Sequence, residues 1–80
     1  MAWLETQGAL EAEFSFGSFR AAVAFMNEVA ELAESHNHHP EIFSSYCLVK
    51  LRLTTHDEGS IVTDKDWQLA RAIDGLLSTT

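Results

Sequence analysis

A chain of 80 residues buries only about 60% of its unfolded surface, so a core of its own leaves it marginally stable. Five basic against twelve acidic residues give a net charge of −7, which repels phosphate backbones and anionic lipid and so argues against nucleic-acid and membrane partners. At 46% apolar the sequence is too hydrophobic for a disordered tail, its longest apolar run is too short to span a bilayer, and a single cysteine, Cys47, excludes an intrachain disulfide.

The whole of 1–80 therefore reads as one domain, with oligomerisation as the expected supplement to its core. The start, Met1-Ala2-Trp3-Leu4-Glu5, has neither the basic region nor the apolar core of a signal peptide, which points to a cytoplasmic, reducing compartment. Trp3 to Gln7 is the first candidate strand, with Gly8-Ala9 as its turn. From there Leu10, Ala12, Phe14 and Phe16 alternate with Glu11, Glu13 and Ser15, the period of two of a half-buried strand. Gly17-Ser18 ends it, and Ser18 is placed to cap a helix running from Phe19 to about Ser35. Phe19, Ala22, Met26, Val29, Ala30 and Ala33 form one stripe of this helix. Ala21, Phe25 and Leu32 widen the apolar surface beyond the ~100° that packing on a sheet needs, so a second contact is expected, with another subunit or with a third element of the same chain.

Pro40 cannot continue the helix and biases His39 toward extended geometry, so the helix should end near His36 to Asn37, with Asn37 as a left-handed C-cap. Glu41 to Tyr46 and Leu48 to Thr55 read as two strands joined by a tight turn near Cys47. In the second, Val49, Leu51 and Leu53 face one way, and Lys50, Arg52, Thr54 and His56 the other. After Asp57-Glu58-Gly59-Ser60, the Thr63 hydroxyl is placed to cap a last helix, with Asp66 three residues on in capping-box fashion. That helix offers Trp67, Ala70, Ile73 and Leu77 as one stripe. Two strands and a helix, repeated, predict an α+β fold: a four-stranded antiparallel sheet with two helices packed on one face.

The chemistry concentrates in Glu34-Ser35-His36-Asn37-His38-His39-Pro40-Glu41, which carries three of the four histidines; His56 follows one hairpin later. Groups that titrate near neutral pH, gathered this way, suit acid/base work or metal ligation. Glu34 and His38 stand four apart, so if the helix reached that far the carboxylate would orient the imidazole. A second imidazole could then accept a proton from another atom of the same ligand, and each such transfer contributes about 10² to 10⁴ in rate. No activated nucleophile is evident, which suits an elimination or isomerisation better than amide hydrolysis. Zinc is the competing use of these side chains, yet adjacent histidines rarely both reach one tetrahedral ion, and no metal is expected. Taken singly, His36 reads as a solvated imidazole at a helix C-terminus, Glu34 as helix surface, and Asp66 as a helix cap.

Taken together, Glu34-x-x-x-His38-His39-Pro40, then Tyr46, Thr54-Thr55-His56 and Thr63-x-x-Asp66 resemble the pterin-4a-carbinolamine dehydratases, also called 4a-hydroxytetrahydrobiopterin dehydratases. The resemblance runs from about Trp3 to Ile73, with Phe14-x-Phe16, Phe25-Met26 and Val29-Ala30 as further matches. It implies dimers or tetramers and the removal of water from a 4a-hydroxytetrahydropterin to give the quinonoid dihydropterin, without metal or redox cofactor. It also implies His38, His39 and His56 as active-site histidines; to match the two proton transfers, we assign His38 and His56 the acid/base roles and His39 a binding or orienting one. Asp66 near His56 and Glu34 beside His38 would support the site, and Trp3 would either stack on a pterin or anchor an edge strand. His36 matches no family histidine. Some relatives of this kind act as partners of a regulator or as assembly factors, so a non-catalytic module of the same fold is the alternative.

Overall fold

Two hairpins, each followed by a helix, make up the chain in the computed structural model, which describes residues 3–56 and 59–78. In chain order these are β1 (Leu4–Thr6), β2 (Ala9–Ser15), α1 (Phe19–His36), β3 (Glu41–Ser45), β4 (Leu48–Leu53) and α2 (Asp64–Ser78). The strands form one antiparallel sheet in the order β1-β2-β4-β3, which gives the α+β architecture expected from the sequence. Asp57 and Glu58 of the expected loop lie outside the described residues.

Period-two patterning sets the register. Leu10 pairs with Leu53, Ala12 with Leu51 and Phe14 with Val49, so six apolar side chains of the two central strands share the helix-covered face. All six are buried, and they form one cluster with Ala22, Phe25 and Val29 of α1 and Leu69, Ala70 and Ile73 of α2. Burying a side chain of this class contributes about 1.5–3 kcal/mol, and the cluster is the main source of stability. On the opposite face the central strands are polar: Glu11 of β2 lies 3.3 Å from Arg52 and 3.6 Å from Lys50 on β4, and Arg52 donates to Glu41 of β3 at 2.7 Å.

Ser18 caps α1 as expected, its hydroxyl accepting from the Ala21 N–H at 3.1 Å. The buried stripe is Ala22, Phe25, Val29 and Ala33, which corrects the expected one: Phe25 is inside, whereas Phe19 and Ala30 are exposed. The reason is aromatic packing, because the Phe25 ring sits 5.0 Å from Phe14 and 4.9 Å from Phe16 and draws that side of the helix onto β2. On α2 the stripe is likewise turned by one position. Asp66, Leu69, Ala70 and Ile73 are fully buried, Trp67 is half-buried and Leu77 is exposed. Asp66 is the cause, since hydrogen-bond partners just beyond β4 and at the helix start hold its carboxylate inside.

The β1–β2 turn falls on Gln7-Gly8, one residue earlier than expected, with φ of +50° and +78°; positive φ at both positions matches the twist of a two-residue hairpin. β3 is an edge strand in which every residue is exposed, including Ile42 and Phe43.

Candidate active site

Helix α1 ends where the sequence requires. Asn37 adopts the left-handed conformation (φ 50°, ψ 43°), its N–H donates to the carbonyls of Ala33 and Glu34, and the His38 N–H donates to Ala33 at 3.0 Å. This cap turns the chain before His38, so the helical i to i+4 relation with Glu34 is broken. The expected Glu34–His38 pair is therefore replaced by two others. Glu34 meets His39 instead, Oε2 to Nε2 at 2.5 Å on an exposed surface, and His38 turns inward to Asp66, Nε2 to Oδ1 at 2.5 Å.

Asp66, expected to support the site from a position near His56, is the direct partner of His38. Its carboxylate is fully buried, and it tolerates burial because both oxygens have hydrogen-bond partners. Oδ2 accepts from the Thr55 hydroxyl at 2.8 Å and from the Thr63 N–H at 2.9 Å, and Oδ1 faces His38. The Thr63 N–H contact is half of the expected capping box. The other half is missing, because the Thr63 hydroxyl lies 2.7 Å from that of Thr55 and the helix amides of Asp66 and Trp67 donate to the Thr63 carbonyl.

β4 delivers His56. The strand itself stops at Leu53, and Thr54 and Thr55, both buried, carry the chain onward. Thr54 donates its hydroxyl proton to the Gly8 carbonyl at 2.8 Å, and Thr55 forms an isolated bridge with Ile61, its N–H donating to the Ile61 carbonyl at 2.9 Å. His56 is exposed at the end of this segment, with Nδ1 3.4 Å from the Ser60 hydroxyl. His38, His39 and His56 line one polar cleft of about 260 Å³ together with Asn37, Thr54, Thr55 and Lys65. Among the described residues no three His, Cys, Asp or Glu side chains are grouped to hold a metal ion.

Three further residues fall elsewhere. Trp3 does not reach the cleft: it is buried, edge-on to Phe14 at 5.9 Å, and its indole N–H donates to Asp74 on α2 at 2.9 Å. The edge-strand anchor is the reading that this placement fits. Tyr46, part of the sequence motif, is exposed in the β3–β4 turn, at the far end of β4 from His56. His36 is exposed in the last turn of α1. Thr54, Thr55 and Lys65 are the cleft residues to which the sequence alone assigns no role. Thr55 belongs to the Thr54-Thr55-His56 motif, but only the fold shows that its hydroxyl meets Asp66.

Residues 1–76 match the family described as Pterin 4 alpha carbinolamine dehydratase. The chain is 51% identical over 69 residues to a protein of Opitutus terrae provisionally named a pterin-4-alpha-carbinolamine dehydratase, covering 86% of this chain and 71% of that one. A protein of the same provisional name from Sulfurisphaera tokodaii is 45% identical over 76 residues, 95% of this chain and 81% of its own. Among solved structures, a transcriptional coactivator/pterin dehydratase from Brucella melitensis superposes with a TM-score of 0.86 at 36% identity, over 92% of this chain and 80% of that one. A pterin dehydratase-like protein identified as a RuBisCO assembly factor in the alpha-carboxysome superposes at 0.78 with 25% identity, over 95% of this chain and 89% of that one. With nearly its whole length matched in sequence and in fold, the chain belongs to the pterin 4 alpha carbinolamine dehydratase family.

Proposed function

We propose that this protein is a hydro-lyase, a 4a-hydroxytetrahydrobiopterin dehydratase, which converts 4a-hydroxytetrahydropterin to the quinonoid dihydropterin by histidine acid/base catalysis. The observation that carries this reading is the gathering of His38, His39 and His56 from a helix end and a strand end around one cleft. The reaction breaks the C4a–O and N5–H bonds, forms a C4a=N5 double bond and releases water. One proton must reach the departing hydroxyl and one must leave N5, and the balance is redox-neutral.

His38, with Nε2 committed to Asp66, keeps Nδ1 as its free nitrogen and takes the proton from N5. His56, exposed and free of any carboxylate contact among the described residues, donates to the departing hydroxyl. His39, paired with Glu34, orients the ring. The proton taken and the proton given are equal, so the two imidazoles return to their starting state by exchange with solvent. The test is turnover of synthetic carbinolamine by His38→Ala and His56→Ala. Each is expected to lose about 10² to 10⁴ in rate, and rates unchanged in both would overturn the assignment.

The proposal extends to a cytoplasmic homodimer or homotetramer. The exposed edge of β3 supports assembly, and a lone free cysteine, Cys47, suits a reducing compartment. The same edge favours a second reading, a non-catalytic assembly module like the carboxysomal neighbour. A stoichiometric protein partner combined with no turnover would decide for it.

A further inference from the structure

Resting on the acid/base role proposed for His38, we propose that Thr55 is a positioning residue that fixes the His38 ring through Asp66, with Thr63 as the outer member of the same chain of donors. The direction of every bond in this chain follows from counting protons. A hydroxyl has one proton to give and a carboxylate oxygen only accepts. The Thr55 hydroxyl, 2.8 Å from Asp66 Oδ2, gives its proton there. Its oxygen is then the acceptor for the Thr63 hydroxyl at 2.7 Å. The order is Thr63 to Thr55 to Asp66, and the Thr63 N–H adds a second donor to the same Oδ2 at 2.9 Å.

Two donors on Oδ2 hold the carboxylate against rotation, which leaves Oδ1 at one place, facing His38 Nε2 at 2.5 Å. Nε2 must carry a proton to make that contact, so the neutral ring is held as the Nε2–H tautomer and Nδ1 keeps its lone pair for the cleft. Thr55 is itself immobile: 3% exposed, its N–H bonded to Ile61 and its carbonyl accepting from Ser60 at 3.1 Å. Because it also directly precedes His56, one residue orients the carboxylate behind one imidazole and roots the other. A purely structural cap would need only the Asp66 carboxylate and the Thr63 N–H. The hydroxyl of Thr55 is superfluous to that role.

The experiment uses the full chain with ¹⁵N-labelled histidine, the His38 resonances being assigned from His38→Gln, alongside steady-state kinetics on synthetic carbinolamine. Thr55→Val is expected to give a mixture of His38 tautomers and to lower kcat about ten- to a hundredfold with KM little changed. Thr55→Ser is expected to restore both. A Thr55→Val protein that folds, keeps the Nε2–H tautomer and holds kcat within about twofold overturns the proposal. Should Thr55→Val not fold, Thr63→Val carries the same test, a mixed tautomer supporting the chain of donors and an unchanged one refuting it. The tautomer is read without substrate, so an absence of turnover in the parent protein would overturn the dehydratase reading and leave this one still measured.

Discussion

The Gly8 α-carbon stands so close to the Ser60 carbonyl that a Cβ added there would collide with its oxygen. Gly8 is also at φ +78°, and its own carbonyl accepts from Thr54, so the first hairpin turn is pressed against the segment that follows His56. Gly8→Ala should therefore act twice, by backbone strain of about 1–2 kcal/mol and by pushing the 59–61 segment away. Gly59→Ala, at φ +87° with nothing within 4 Å, is the control and should show the strain alone. Chemical denaturation of both variants, with turnover measured in parallel, should place Gly8→Ala lower in both. Equal midpoints and equal turnover would refute the coupling.

The two carboxylates beside the corner histidines differ in burial, and their removal should differ in consequence. Asp66 is fully buried and Glu34 is 75% exposed. Asp66→Asn replaces an acceptor-only group with one that can donate to Nε2, which favours the wrong tautomer; kcat is expected to fall by about 10² to 10⁴. Glu34→Gln loses a contact that solvent largely screens, and a change below about fivefold is expected. Steady-state kinetics decide between them, and a larger loss at Glu34 would contradict an inward, catalytic His38 beside an outward, orienting His39.

Trp3→Phe separates an anchor from a pterin-stacking residue. The substitution keeps an aromatic ring against Phe14 and removes the indole N–H that binds Asp74. A stability loss of about 0.5–1.5 kcal/mol with unchanged KM is expected. A raised KM with stability intact would place the indole at the ligand instead.

The edge of β3 offers the last test. Phe43, 59% exposed on that strand, is the position at which a charge should do most damage to strand pairing between copies. Phe43→Lys is expected to reduce the particle mass in sedimentation toward the 8.9 kDa of one chain while leaving the far-ultraviolet dichroism unchanged. An unchanged mass would remove β3 from the interface.

Local periodicity made the sheet and both helices legible, since Leu10 to Phe16 and Val49 to Leu53 carry the period of two and Asn37 before Pro40 marks a helix stop. The faces of the helices were less legible. Which of Phe19, Phe25 and Ala30 goes inside depends on the aromatic rings waiting on and just after β2, and no helical wheel contains them. The three histidines of the motif do line one cleft, but their partners could not be read from spacing. Glu34 and His38 look paired by position, and a single left-handed residue between them undoes the pairing. Asp66 and Thr55 are eleven residues apart across an unpatterned loop, so their contact has no sequence signature.

That same left-handed residue has a consequence for how the corner can change. Adjacent imidazoles at His38 and His39 answer to carboxylates on different helices, one buried and one in water. The two contacts thus differ in partner and in burial despite a shared peptide bond. Losses from Glu34→Gln and Asp66→Asn should add in the double variant to within about 0.5 kcal/mol. Change at the water-facing Glu34 therefore disturbs the corner less than change at Asp66, whose buried contact holds the inward histidine in place.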